Sequence, residues 1–280
     1  MQKKLRAKPI TWRSLRPHKG LSSAKPIGPT RAGRFGVPRL KPLLRAARDL
    51  VYRVAYRGTG RWCPVCEHAV RRFAPRPLLG RRRRVEVMCP HCGAYERHRE
   101  VWLFFERKTD LFTERNRQVL HVAPERCFER RLRTRIGRGY VTADLNDLSV
   151  DVHMDITRIQ YPDESFDVIY CSHVLEHVQD DRRALRELHR VLKHDGWAVI
   201  LVPITATETF EDPTITSPRE RKRLFGLSDH VRRYGRDFVE RLKEAGFNVQ
   251  VFGVSDFAEG AEVARMGLTP GTDDIYLCSK

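Results

Sequence analysis

Seven cysteines are spread over 280 residues, and four form two Cys-x-x-Cys pairs, Cys63-Pro64-Val65-Cys66 and Cys89-Pro90-His91-Cys92, with 22 residues between them. Two such knuckles offer the four thiolates of a tetrahedral Zn²⁺ shell. With every position filled by protein, the ion is structural, because no place is left for a catalytic water. The competing readings fit less well: a redox pair needs one Cys-x-x-Cys, and disulfides are rare in reduced compartments. Gly93 suits the turn behind the second knuckle, where a positive φ is often required. His68, His91 and His98 are alternative ligands, read here as surface residues or supports for the thiolates. Cys127, Cys171 and Cys278 read as buried structural thiols.

A second group of chemically able side chains ends a series of apolar segments. Glu125 follows Val119-Leu120-His121-Val122-Ala123-Pro124, and Asp144 ends Tyr140-Val141-Thr142-Ala143. Asp155 follows Val152-His153-Met154, and Ser172-His173 closes the run that starts at Phe166. Asp144, about 20 residues after the first turn, is suited to accept both hydroxyls of a ribose. Asp155 can accept from an adenine amino group, with Leu145 and Ile156 on the faces of the ring. A helix expected from about Arg126 to Arg135 would present free backbone N–H groups beside Glu125.

The elements that must carry these groups are short β-rich segments, completed by Trp197 to Pro203 and separated by helical or turn-rich stretches. That alternation predicts an α/β fold, a Rossmann-like doubly wound, mostly parallel sheet with a small N-terminal zinc ribbon. In such sheets the ligand lies outside the carboxyl ends of the strands, near the point where strand order reverses. Val101 to Phe105 is expected to be a helix packing the ribbon against the sheet. Gly235 to Gly246 reads as a helix, and Phe247 to Phe252 and Asp274 to Cys278 as closing strands. The expected organisation is a basic tail with a possible short helix (1–60), a zinc ribbon (61–99) and a sheet domain (100–280). Within the last, the polar stretch 204–234 is expected to be an irregular lid over the pocket.

The order of Asp144, Asp155, Ser165-Phe166-Asp167-Val168-Ile169 and His173-Val174-Leu175-Glu176-His177, followed by Leu188 to Trp197, resembles the type 11 group of class I S-adenosylmethionine-dependent methyltransferases. The resemblance covers roughly residues 118–255. The Cys-Pro-His-Cys-Gly ribbon and Asp229-His230-Val231-Arg232-Arg233-Tyr234-Gly235 look like a bacterial subgroup that bears such a ribbon. The resemblance implies S-adenosylmethionine as cofactor, held by Ala123, Glu125, Asp144, Leu145, Asp155, Ile156, Ser172 and His173, with Glu125 meeting the methionine amino group. Spacing alone also allows NAD or another nucleoside. The family's first loop is usually glycine-rich; here it reads His121-Val122-Ala123-Pro124-Glu125-Arg126-Cys127, and Ala123 is small enough for close approach. If the acceptor is a hydroxyl, a general base helps. His173, His177 and His230 are the candidates, His173 and His230 foremost, with Glu176 and Asp229 as orienting acids. Tyr234 is expected near the transferred methyl group, and Glu176 and His177 otherwise serve packing or capping.

The formal charge of +18 is unevenly placed. Residues 1–60 hold 16 Lys and Arg against one acid, whereas residues 100–280 hold 27 basic and 31 acidic residues. The excess suggests an anionic partner for the N-terminus (membrane surface, glycan or nucleic acid) or a solvated tail. No stretch is apolar enough to span a bilayer, and the chain is read as cytoplasmic. Three functions follow. The first is methyl transfer to an oxygen or nitrogen of a small-molecule, lipid-linked or glycan acceptor. The second is RNA methylation, with tail and ribbon gripping phosphates. The third is a non-catalytic zinc-ribbon binding protein on a degenerate fold.

Overall fold

The computed structural model describes residues 50–52, 54–75, 85–269 and 274–280. The expected tail and most of its possible helix lie outside the described residues. Residues 50–52 and 54–55 are helical, and Leu50, Val51 and Val54 are exposed there.

The ribbon begins with a hairpin, β1 (Arg61–Cys63) against β2 (His68–Val70). Each knuckle closes through a backbone bond across the cysteine pair, Glu67 N–H to Cys63 O at 2.8 Å and Gly93 N–H to Cys89 O at 2.9 Å. Both residues after the second cysteine have positive φ, 55° at Glu67 and 78° at Gly93. The sequence marks only one of these turns with glycine.

Helix α1 (Glu96–Lys108) joins ribbon to sheet, and residues 98–105 along it are all buried. Its Arg99 is fully buried and donates to Val87 O, Ala94 O, Met266 O and Gly267 O, with its guanidinium 3.8 Å from the Phe73 ring centre. One side chain thus ties the ribbon to the C-terminal helix. Four carbonyls and an aromatic face offset much of the cost of burying that charge.

The sheet proper contains β3 (Val119–Val122), β4 (Tyr140–Asp144), β5 (Val152–His153), β6 (Phe166–Ser172), β7 (Leu192–Leu201), β11 (Asn248–Phe252) and β12 (Ile275–Ser279). Their order is β11-β12-β7-β6-β3-β4-β5, parallel from β7 to β5, with β12 antiparallel to both of its neighbours. Strand residues alternate between two cores. Val168 and Tyr170 of β6 meet α1 and α2 (Arg126–Ile136) on one face. Ile169 and Cys171 face α3 (Asp181–Val191) and α5 (Phe238–Glu244) on the other. Burial on both faces explains why these strands read as continuous apolar runs. β3 lies between β4 and β6, so the chain order reverses beside it and opens a crevice at the strand ends.

Residues 204–235 differ from the irregular lid expected. β8 (Ile204–Ala206), β9 (Phe210–Glu211) and β10 (Arg232–Gly235) form a small sheet in the order β8-β10-β9, with α4 (Pro218–Leu224) between β9 and β10. Strands of two to four residues paired across about 30 residues of chain leave no periodicity to detect. C-terminal to β11, helix α6 (Gly260–Met266) packs under the ribbon.

Candidate active site and metal centre

At the carboxyl ends of β3, β4 and β6 lies a cavity of about 330 Å³, within the roughly 300–1,000 Å³ usual for small-ligand sites. Ala123, Asp144, Leu145, Asp155, Ile156 and His173 all line it, as do Val122, Asn146, Met154, Val174, His177 and Val178. Six of the eight residues expected at the cofactor are thus brought together. A larger hollow of about 720 Å³ lies at the far edge, between Lys108, Trp197 and β11. It opens on the β11 side, away from the strand ends that carry the acids.

Each acid at the rim is oriented by its own turn. Asp144 Oδ1 accepts the N–H groups of Asn146 and Asp147 at 2.6 and 2.8 Å. Asp155 Oδ1 accepts both the N–H and the hydroxyl of Thr157 at 2.8 Å. These Asx turns fix the carboxylates without neutralising them. Two further residues of the lining carry unusual backbone: φ is 48° at Ala123 and 55° at His173. Left-handed backbone in residues other than glycine concentrates where a site demands a particular backbone path. At Ala123 it reproduces the conformation a glycine would have supplied.

Glu125 and Ser172 lie outside this lining. Glu125 is the N-cap residue of α2, and its carboxylate is taken up inside the protein. His121 Nε2 lies 2.7 Å from Oε2, Tyr170 OH donates to Oε1 at 3.0 Å, and His121 Nδ1 meets Tyr140 OH at 2.6 Å. Burial works to raise the Glu125 carboxyl, but the His121 imidazole prevails and holds it at about 2. His98 sits behind this group, accepting from Tyr95 N–H at 3.1 Å and lying 3.4 Å from Cys127 Sγ. Burial lowers its imidazole to about 3, so it is neutral. Ser172 is buried at the end of β6.

The remaining candidates gather on one side of the cavity. His173 Nδ1 is 3.3 Å from Glu176 Oε1, and His177 Nδ1 is 3.4 Å from Asp229 Oδ2. The rings of His177 and His230 meet edge to face at 4.7 Å. The 204–235 segment therefore reaches the cavity rim through His230. Burial lowers the His230 imidazole from its ordinary value, and its Nδ1 faces Phe225 O at 3.2 Å.

Tyr234 is not near this rim as expected. It is fully buried, and its hydroxyl donates to Asp181 at 2.6 Å. Asp181 also accepts from Arg241, which with Arg232 holds Glu211. Arg232 in turn donates to Leu175 O, Val178 O and Gln179 O. This buried network clamps β10 onto the turn after β6. Sequence reasoning missed it, because the four charges lie up to 60 residues apart with no motif linking them.

In the ribbon, Cys63, Cys66, Cys89 and Cys92 place their sulfurs within 4.8 Å of one another. The Cys63–Cys92 and Cys66–Cys89 sulfur pairs are both 3.7 Å apart. A tetrahedron with metal–sulfur bonds of about 2.3 Å has edges of about 3.8 Å, so the four sulfurs fit one tetrahedral ion. His68, His91 and His98 stand outside the set: His68 packs on His91 with ring centres 4.5 Å apart.

Residues 109–200 match a family model described as "Methyltransferase domain". A stretch of 38 residues is 50% identical to the uncharacterized methyltransferase YcgJ of Bacillus subtilis (strain 168), covering 14% of this chain and 15% of that protein. Another of 97 residues is 34% identical to phosphoethanolamine N-methyltransferase 3 of Arabidopsis thaliana, covering 33% of this chain and 18% of that protein. The matched stretches span less than a fifth of these curated relatives. The crystal structure of the YcgJ protein superposes with a TM-score of 0.41 and 16% identity, over 65% of this chain and 96% of that one. Residues 109–200, a third of the chain, thus match a methyltransferase-domain model and carry the central strands of the Rossmann-like sheet.

Proposed function

We propose that the chain transfers a methyl group from S-adenosylmethionine to an oxygen or nitrogen of a small-molecule, lipid-linked or glycan acceptor. The observation that carries this reading is the convergence of Ala123, Asp144, Asp155 and His173 on one cavity at the strand ends. S-adenosylmethionine supplies a methyl carbon activated by its sulfonium. The protein supplies alignment and a dry site. Asp144 would hold the ribose hydroxyls and Asp155 the adenine amino group, with Leu145 and Ile156 against the ring. Ala123, in its left-handed conformation, would let the backbone approach the methionine part. Glu125, held by His121 and Tyr170, would support that loop from within rather than touch the ligand. His173 and His230 stand on the acceptor side as candidate bases, with Glu176 and Asp229 beside them. The four-cysteine ribbon would hold a structural zinc ion.

A small acceptor is supported by the slight acidity of residues 100–280 and by the relative named for phosphoethanolamine methylation. No helix among the described residues is long and apolar enough to cross a membrane. The basic N-terminus would add attraction to an anionic surface, and the cytoplasm is the compartment in which the seven free cysteines stay reduced. Calorimetric titration with S-adenosylhomocysteine tests the cofactor assignment. Asp144→Ala should weaken binding about 100-fold, as loss of two charge-assisted hydrogen bonds implies, while thermal melting stays cooperative. Unchanged affinity would remove the assignment.

A further inference from the structure

Glu176, His177 and His230 bring one carboxylate and two imidazoles together, with their ligand atoms within 4.8 Å of one another. Glu176 and His177 belong to the turn after β6, and His230 to the segment that ends in β10. The two parts are joined by Val231 N–H donating to Glu176 O at 2.9 Å and by the Arg232 contacts already described. Glu176 and His230 are buried and His177 is exposed, so the group is anchored by buried structure and open to solvent on its His177 side.

Two features point to a cation. The Glu176 side chain is only 2% exposed, and its Oε2 has no hydrogen-bond partner among the described residues. A buried carboxylate oxygen left without a donor is costly unless a positive charge meets it. The imidazoles are set as ligands. A carbonyl only accepts, so His230 Nδ1, 3.2 Å from Phe225 O, carries the ring proton and leaves Nε2 with its lone pair. His177 Nδ1 stands 3.4 Å from Asp229 Oδ2, the carboxylate support common behind metal-bound imidazoles.

We infer that Glu176, His177 and His230 bind one divalent transition-metal ion on the acceptor side of the cavity. Two imidazoles and one carboxylate suit zinc, iron, cobalt or nickel better than magnesium or calcium. Unlike the closed four-thiolate set, three ligands leave coordination positions open. His177 also lines the cavity, so an acceptor offering an oxygen could occupy such a position. His230 then serves as a ligand and not as a base, and His173 remains the candidate base. The acceptor class rests on the proposed reaction, but the metal site does not, and it is read by metal content and spectrum alone.

The test uses the full chain with zinc in the ribbon, titrated with cobalt(II) chloride and then desalted for metal analysis. The expected result is one cobalt bound beside one retained zinc. Its visible bands should be weak, without the intense near-ultraviolet absorption of thiolate ligation. Glu176→Gln and His230→Ala should each weaken cobalt binding at least about tenfold and leave the zinc in place. Absence of bound cobalt in the wild type, or a thiolate-type spectrum, overturns the proposal, as does cobalt retained by both variants. Should either variant fail to melt cooperatively, the stoichiometry and spectrum of the wild type decide the matter.

Discussion

Ala123 is held at a φ of 48°, and left-handed backbone costs an L-residue about 1–2 kcal/mol. Glycine escapes that cost but loses more chain entropy on folding, by about 0.5–1 kcal/mol. Ala123→Gly should therefore stabilise the protein by about 0.5–1 kcal/mol, visible as a higher melting temperature. A lower one would mean that the alanine methyl makes a contact worth more than the strain. The buried acid and base next to this loop give a pH dependence with a definite sign. The Glu125 carboxyl is depressed from 4.5 to about 2, so its stabilisation is complete above about pH 4.5 and is lost as pH falls toward 2. The His98 imidazole is depressed from 6.5 to about 3, so the unfolded chain takes up its proton first and stability falls between those values. Melting temperature should thus decline from about pH 6.5 downward. His98→Gln should flatten the upper part of that decline, between 6.5 and 4.5; a parallel curve in the variant would contradict the assignment.

The elements that hold the site differ in how visible they are in the chain. Strands β3, β6 and β7 are buried on both faces, so their composition alone marks them. The closing pair β11 and β12 is legible from the alternation and the apolar run that precede and follow 253–274. The clamp between β10 and the turn after β6 is not legible. No motif links Arg232, Arg241, Asp181 and Glu211, yet Asp181, Arg232 and Arg241 are buried. Removing one partner from such a set leaves an unpaired buried charge and costs about 3–5 kcal/mol. Asp181→Asn should lower the melting temperature accordingly, and S-adenosylhomocysteine affinity should fall less than in Asp144→Ala. Equal losses of affinity in the two variants would show that the clamp is part of the cavity and not a support behind it.

At the scale of the molecule, the ribbon is not an appendage. Cys63, Val65 and Phe73 share one continuous core with Trp102, Val119, Tyr170 and Val199, and Arg99 links ribbon backbone to α6. Loss of an ion held by the four ribbon sulfurs should therefore be felt by the sheet. Prolonged chelation, or Cys89→Ser, should lower the melting temperature of the whole described domain in one cooperative transition and weaken S-adenosylhomocysteine binding, since α1, which shares the ribbon's core, packs through Phe105 on Tyr170 behind His121 and Glu125. Two separate transitions would show the ribbon melting on its own. What the residues alone determined was whatever depends on local pattern: thiol spacing, strands with two buried faces, and the small and acidic residues that end them. Those features predicted the sheet and the sulfur tetrad, and together with the family resemblance they pointed to six of the positions that line the cavity. Tertiary structure alone decided the fate of charges, because burial of Glu125, Arg99 or Asp181 depends on partners distant in the chain. It also brought His230 from β10's approach against Glu176 and His177, a meeting set by long-range pairing that no local period encodes.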